Sequence, residues 1–416
     1  MGVRHSMNTN LTEKILDIAK QYYESTDNNI VGVGYGLKKT KNKYGNELAL
    51  VFTVEKKIEP EKIPKEKLLP ASIQIDENTL LKTDVVEGSF ALALATCADD
   101  LPAPSNRQKI RPIKGGLSIT NYNVLSLFRG TLGFIAIDND TNSLVGVTAG
   151  HVVIDDQFIC SDRNLEGVKT SVLNHIVIQP SEVDNIYASN SIGIVKRYLP
   201  LYNDGYNYAD AALIAVKKDD LDETFSIRQE GSDYSYWLPF ASTEEINSIL
   251  SSNPPVFFSG RTSGFRGEGD VKLKISEIGT NAYVNFELQG QPAMVDFSNC
   301  IKFVAFDSST TGNPELLCPM NAGDSGAALV AEIDGIRKII GLIFAANMSS
   351  GSIVAGLAAR IDKVSELLNI SYWNGDMSFF ESDLNNIQII KSDNLNAEFK
   401  KTVDEKKFYQ VGLFNQ

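Results

Sequence analysis

Three short stretches of the chain carry residue types that could do covalent chemistry together. Gly323-Asp324-Ser325-Gly326 lies within NAGDSGAAL, directly before the apolar run Ala327 to Val330. A serine hydroxyl attacks an amide carbonyl only with help. It needs a base to take its proton, a carboxylate to orient that base, and fixed N–H donors for the developing oxyanion. Glycines beside the serine favour this, because a backbone without Cβ lets its amides turn toward one point. A polar turn leading into a strand accounts for an isolated GDSG equally well.

A base is available in Thr148-Ala149-Gly150-His151-Val152, which closes the apolar run LVGVTAGHV. That pattern puts the imidazole of His151 at the end of a buried strand, with small residues before it that leave room for another group. The chain has two other histidines. His5 lies in a polar leader, and His175, within SVLNHIVI, reads as a satisfied strand residue. A carboxylate is available in Asn207-Tyr208-Ala209-Asp210, which runs straight into the strand candidate AALIAV. Asp210 can then sit at the rim of a core. An ordinary strand-start aspartate fits as well, and Asp204 in the turn NDG competes for the role.

These stretches need elements to position them. Leu11 to Tyr23 carries Leu11, Ile15, Ile18, Ala19 and Tyr22 at helical spacing. Ile30 to Leu37 and Glu47 to Glu55 read as strands, the second by alternation of Leu48, Leu50, Phe52 and Val54. Further strands are expected at Ser72 to Ile75 and Thr83 to Val86. The glycines of VGVGYG lack the spacing of a dinucleotide fingerprint and are read as permitting close packing. Residues 1–98 therefore form a small α+β domain, and Asp99 to Pro112, rich in proline and polar residues, forms a linker. From there the chain becomes short strands between turns. They are expected at Gly130 to Ile137, Val145 to Thr148, Asn174 to Gln179, Ser191 to Tyr198, Ala211 to Val216 and Pro255 to Phe258. Others follow at Val271 to Ile278, Ala282 to Leu288, Cys300 to Phe306, Ala327 to Ile333 and Arg337 to Ala345. That spacing argues for an antiparallel barrel or sandwich. A helix is expected at Ala359 to Leu368, and residues 371–416 form a polar extension of unassigned fold.

Composition narrows the function classes. At 416 residues the chain suits two or three domains, and 43% hydrophobic with 22% charged residues is the balance of a protein with a proper core. A net charge of −13 argues against binding phosphate backbones, so no nucleic-acid partner is expected. No run of about 18 apolar residues is present, so no membrane-spanning helix is expected either. Cys97, Cys160, Cys300 and Cys318 show no metal-ligand spacing, and neither a metal nor an organic cofactor is expected. Without a signal-type apolar stretch, the location is read as cytoplasmic.

In the order TAGH, DAALIAV, GDSGAAL, the three blocks resemble the signatures of trypsin-like (chymotrypsin-fold) serine proteases. GLKKTKN, ELALVFTVEKK, TDVVEG, RPIKGG, GTLG and GRTSG further resemble a bacterial and plant group of such proteins with an N-terminal α+β domain. The resemblance implies a mainly β chain whose residues 113–370 form a double β-barrel. It implies a serine endopeptidase with Ser325 as nucleophile, His151 as general base, Asp210 as orienting carboxylate, and the N–H groups of Gly323 and Ser325 as the oxyanion hole. The specificity aspartate of trypsin is replaced by Pro319, so cleavage after Lys or Arg is not implied. Phe344, Ala345 and Ala346 would wall a shallow pocket for small or medium apolar side chains. The cysteine that often follows the histidine in secreted members is Val152 here, in agreement with a reducing compartment. Ile113-Lys114-Gly115-Gly116 resembles the mature start of relatives activated by cleavage, but Pro112 resists such a cut. A single-chain enzyme is expected, with Asp324 satisfied by something other than a freed amine. The partner is a protein or peptide substrate, and the N-terminal domain could support a homo-oligomer or a regulatory partner. Two alternatives stay open: a pseudo-protease scaffold or binding protein, and a self-processing protease or esterase.

Overall fold

The computed structural model describes residues 9–25, 29–40, 43–92, 105–122, 129–154, 159–160, 173, 175–185, 190–216, 220–221, 226–229, 232–234, 238–286, 293–307 and 316–373. Part of the expected linker and all of the expected extension beyond Trp373 lie outside these residues, as do Cys97 and His5.

The chain opens with helix α1 (Thr9–Ser25), whose Ile15 and Ala19 are buried as the helical spacing requires. Strands β1 (Ile30–Thr40) and β2 (Lys43–Val54) form an antiparallel hairpin. Strand β3 (Ser72–Asp76) turns back into β4 (Thr79–Glu87), which lies parallel to β2. These strands do not stand apart from the rest. β1 pairs with a strand of the last third of the chain, matching Gly32 to Ala282 and Gly36 to Glu277. The glycines of VGVGYG make that approach possible. A Cβ on Gly32, Gly34 or Gly36 would lie closer than 3.0 Å to the Phe90 ring, Thr280 Oγ1 or Ser276 O respectively. Strand β5 (Ser89–Ala91) follows.

The next strands form one antiparallel sheet. They are β6 (Ser118–Asn121), β7 (Gly130–Thr131), β8 (Phe134–Asp138) and β9 (Ser143–Thr148), then the one-turn helix α2 (Gly150–Val153). After β10 (Ile159–Cys160) come β11 (Ile176–Gln179), α3 (Glu182–Asn185), β12 (Asn190–Tyr198), β13 (Leu201–Tyr202) and β14 (Ala212–Val216). The order β8-β9-β14-β12-β11-β6-β7 curls into an open half-barrel. Its strands carry buried residues on both faces, among them Ile135, Val195 and Ile214 on one and Val147 and Leu213 on the other. A short pair, β15 (Ile227–Gln229) and β16 (Ser232–Tyr234), leads to helix α4 (Thr243–Ser252), which Ser242 and Glu245 start with a reciprocal capping box.

The second barrel closes on itself. Its strands are β17 (Val256–Gly260), β18 (Gly264–Arg266), β19 (Val271–Asn285), β20 (Met294–Asp307), β21 (Leu316–Leu317), β22 (Ala328–Ile333), β23 (Ile336–Ser349) and β24 (Ser352–Arg360). The path β17-β22-β23-β24-β20-β19 returns to β17 through Val256 and Leu273, making a ring of six strands. Helix α5 (Ile361–Leu368) and strand β25 (Ile370–Ser371) then cross back to β8. This is the mainly β, two-barrel class that the sequence leads one to expect, the first barrel being a half-barrel. Among the described residues no helix is long and apolar enough to cross a membrane.

Two elements differ from expectation. The strands expected at Val271 to Ile278 and Ala282 onward are one strand, β19, because register shifts around Gly279 absorb the irregular stretch without ending its pairing with β20. Residues Ala359 and Arg360, expected to open the last helix, instead finish β24, where Ala358 faces both Ile301 and Ile343. Small residues there are dictated by neighbours on both sides, which local propensity does not see.

Asp138 ties the half-barrel together. Its buried carboxylate takes Lys196 Nζ at 2.7 Å and Arg197 Nη2 at 2.7 Å, and Arg197 also donates to Leu368 O. Burial pushes the carboxyl up, but Lys196 and Arg197 outweigh it and hold the group below its ordinary 3.8. A carboxyl depressed on folding contributes stability above its unfolded value, and that contribution is lost as pH falls through the folded value. Asp138→Asn should therefore lower the thermal midpoint at neutral pH. The gap from wild type should shrink in melts taken below about pH 4.

Candidate active site

Strand register brings the first two candidates together. β9 and β14 run antiparallel with Thr148 opposite Ala212, so continuing the pairing by two residues sets Gly150 against Asp210. A Cβ on Gly150 would lie closer than 3.0 Å to Asp210 Oδ1, which is why the turn into α2 needs glycine. Asp210 is 1% exposed and grips His151 twice. Its Oδ2 accepts from the imidazole Nδ1–H, and its Oδ1 accepts from the His151 backbone N–H at 3.1 Å. Nδ1 is thus fixed as the protonated nitrogen, with Nε2 turned away from Asp210. Asn207, three residues earlier, anchors the loop. Its side chain bonds Tyr202 N and O, and its backbone bonds Asp296 O and Ser298 N. Asp204, the rival carboxylate, lies on the exposed bend of that loop.

The serine turn is held by the seam between the barrels. Gly323 and Gly326 adopt φ of 96° and 91°, a region that favours glycine. Thr131 N–H donates to Ser325 O at 2.8 Å, and Thr131 Oγ1 donates to Gly323 O at 2.8 Å. Gly326 N–H donates to Ile343 O at 2.7 Å. The GTLG stretch is where this contact occurs. A Cβ on Gly130 would strike both the Val152 side chain and Ser325 O, and one on Gly133 would strike Gly326 O. A Cβ on Gly326 would meet Thr148 Oγ1 and Ala149 N, so the serine turn lies directly against the segment that carries His151. With their carbonyls taken, Gly323 and Ser325 keep their backbone N–H groups uncommitted among the described residues.

Ser325 Oγ donates to Phe344 O at 3.4 Å, and no hydrogen bond joins it to His151. Hydrogen bonds between nucleophile and base are often long before substrate binds. Phe344 is available because it is a bulge. β23 matches Ile343 to Ala358 and Ala345 to Leu357, leaving Phe344 without an opposite residue on β24. Its ring packs on Phe297 at 4.5 Å, Phe297 stacks on Phe286 at 5.8 Å, and Phe286 meets the His151 ring edge-on at 6.3 Å. Sequence reading missed Phe286 and Phe297, since nothing in their local pattern marks a contact with a distant histidine. Ala345 and Ala346, which follow Phe344 in the strand, and Pro319 are buried.

Asp324 is fully buried beside the serine. Its Oδ1 accepts from Thr262 N and Ser263 N, each at 2.9 Å. Its Oδ2 accepts from Asn321 N at 2.8 Å and from Ser263 Oγ. Burial pushes the carboxyl above its ordinary value, and these donors offset only part of that rise. The GRTSG stretch thereby supplies three of the four hydrogen bonds to the Asp324 carboxyl. Ile113 meanwhile is an internal residue, its N–H bonded to Asp220 O at 2.7 Å. His175 Nδ1 lies 3.2 Å from Asn121 Nδ2, which also donates to Val153 O. No cluster that could hold a metal ion occurs among the described residues.

The fold and site so defined are those of a two-barrel β protein with a Ser, His and Asp gathered at the seam. No family model matches the chain, and no curated protein matches it. Among solved structures it is similar to a glutamic-acid-specific serine protease, at 13% identity and TM-score 0.37, over 63% of this chain and 100% of that one. It is similar to Nocardiopsis protease at 15% and 0.36, over 63% and 99%, and to Cellulomonas bogoriensis chymotrypsin at 12% and 0.36, over 63% and 98%. At such identities and TM-scores these likenesses carry neither a site residue nor an activity over to this chain.

Proposed function

We propose that the chain is a serine endopeptidase working through an acyl-enzyme. Ser325 Oγ attacks the substrate carbonyl and passes its proton to His151 Nε2. The imidazolium, stabilised by Asp210, returns that proton to the leaving amine, and water then releases the acyl group by the same route. The N–H groups of Gly323 and Ser325 receive the oxyanion. The observation that carries this reading is the double grip of Asp210 on His151, which selects the tautomer a general base requires. Buried Ala345 and Ala346 support a preference for small or medium apolar side chains, with Pro319 in place of a charged pocket floor. The N-terminal unit would serve regulation or partner binding.

A pseudo-protease is the second reading, favoured by the bond of Ser325 Oγ to Phe344 O instead of His151. Labelling with a fluorophosphonate, read by intact mass, separates the two. One adduct on the wild type, absent from Ser325→Ala and His151→Ala, is the expected result. A folded wild type that takes up no adduct would leave only the scaffold.

A further inference from the structure

Strand β5 occupies an unusual place. It leaves β4 through Gly88 and inserts between β19 and β23 of the second barrel. It runs parallel to β19, with Phe90 opposite Val284 and Ala91 opposite Asn285, and antiparallel to β23. On β23 the partners are Met348 for Ser89, Asn347 for Phe90 and Ala346 for Ala91. Along that side β23 already has β24 on its far edge. β5 therefore takes the remaining edge of residues 346–348.

Direction makes the placement informative. As β5 advances from Ser89 to Ala91, its partners recede from Met348 to Ala346, toward the bulged Phe344 whose carbonyl accepts from Ser325 Oγ. A polypeptide attacked by Ser325 would need an extended partner strand beside the nucleophile, and strand addition supplies that with backbone bonds. β5 has this direction and this strand. Its fixings come from both sides. Leu92 N–H donates to Asn285 O at 3.1 Å, Asn347 Nδ2 donates to Ser89 O at 3.4 Å, and Gly88 N–H donates to Val54 O at 2.9 Å. Phe90 and Leu92 are 1% and 2% exposed, and the Phe90 ring lies against Gly32 with Lys302 Nζ 6.0 Å from its centre.

We propose that residues 88–92 are a tethered occupant of the place where the acyl-side residues of an extended polypeptide substrate dock. A substrate must displace β5 from residues 346–348 before it reaches Ser325. The proposal rests on the catalytic reading above. The N-terminal unit is then an inhibitor in cis whose last strand mimics substrate, and the substrate class is an extended chain with a small residue at the position of Ala91.

Leu92 N–H points to β19, so by alternation the N–H of Ala91 faces β23. Ala91→Pro removes that donor while keeping an extended backbone, and Phe90→Ala is a milder second variant that loosens the anchor. Each full-length protein is treated with a small fluorophosphonate and, separately, with a phosphonate carrying a three-residue apolar peptide. The expected result is at least a tenfold faster reaction of the variants with the peptidyl probe and an unchanged rate with the small one. Equal peptidyl-probe rates in wild type and both variants would overturn the proposal. Failure of both probes on all three proteins would instead sink the catalytic reading. If Ala91→Pro alone loses both reactions it has lost its fold, and Phe90→Ala decides.

Discussion

Asp210→Asn should lower peptide hydrolysis by about four orders of magnitude, or about 5 kcal/mol of transition-state stabilisation, while leaving the protein folded. The reason lies in the two bonds that His151 makes to one carboxylate. The backbone N–H of His151 needs an acceptor, and an asparagine would satisfy it by placing its carbonyl oxygen where Oδ1 now lies. Its amide nitrogen then falls where Oδ2 lies and donates to Nδ1. That pushes the ring proton to Nε2, the nitrogen that must be bare to accept from Ser325. Thermal melts of wild type and variant should agree within a few degrees, because shape and most hydrogen bonds are kept. A hydrolysis rate within about tenfold of wild type would show that Asp210 does not set the tautomer.

Asp324→Ala should cost about 3–5 kcal/mol of stability in denaturant unfolding. The carboxylate, itself fully buried, satisfies three backbone N–H groups and one hydroxyl. Each orphaned donor costs about 1–3 kcal/mol, and a water entering the vacated space recovers part of this. The loss should also reach the chemistry. Asn321 to Gly326 form one turn around Asp324, closed by Asp324 N–H to Asn321 O and Ala327 N–H to Asp324 O. Without its centre the turn no longer aims the N–H groups of Gly323 and Ser325. Asp324→Asn retains one acceptor oxygen and should fall between wild type and alanine on both measures. An alanine variant within about 1 kcal/mol of wild type would mean that the GRTSG segment does not organise the serine turn.

The site was legible in sequence to the extent that its parts are local. Each of His151, Asp210 and Ser325 sits at the end or start of an apolar strand, and strand ends can be read from alternation and glycine. β9 and β14 were placed within two residues, and their pairing alone sets Asp210 beside Gly150. GTLG and GRTSG were visible as glycine-rich stretches, but their work was not. Gly133 meets Gly326, and Ser263 meets Asp324, across spans of chain that no local pattern reports. The same holds for the aromatic run from His151 through Phe286 and Phe297 to Phe344. β5 was missed altogether. Three residues are too few to show alternation, and their strand character comes from β19 and β23.

The pairing of β1 with β19 also sets a timetable for synthesis. The hairpin of β1 and β2 leaves the ribosome with one edge that is completed only by a strand that follows the whole half-barrel in the chain. At about 5–20 residues per second, that edge waits on the order of ten seconds or more for its neighbour. During that interval the glycine-lined, apolar face of β1 is an open template for a second nascent chain. Crowded expression should therefore favour aggregates seeded at β1, and slower initiation or a bound chaperone should raise the soluble yield.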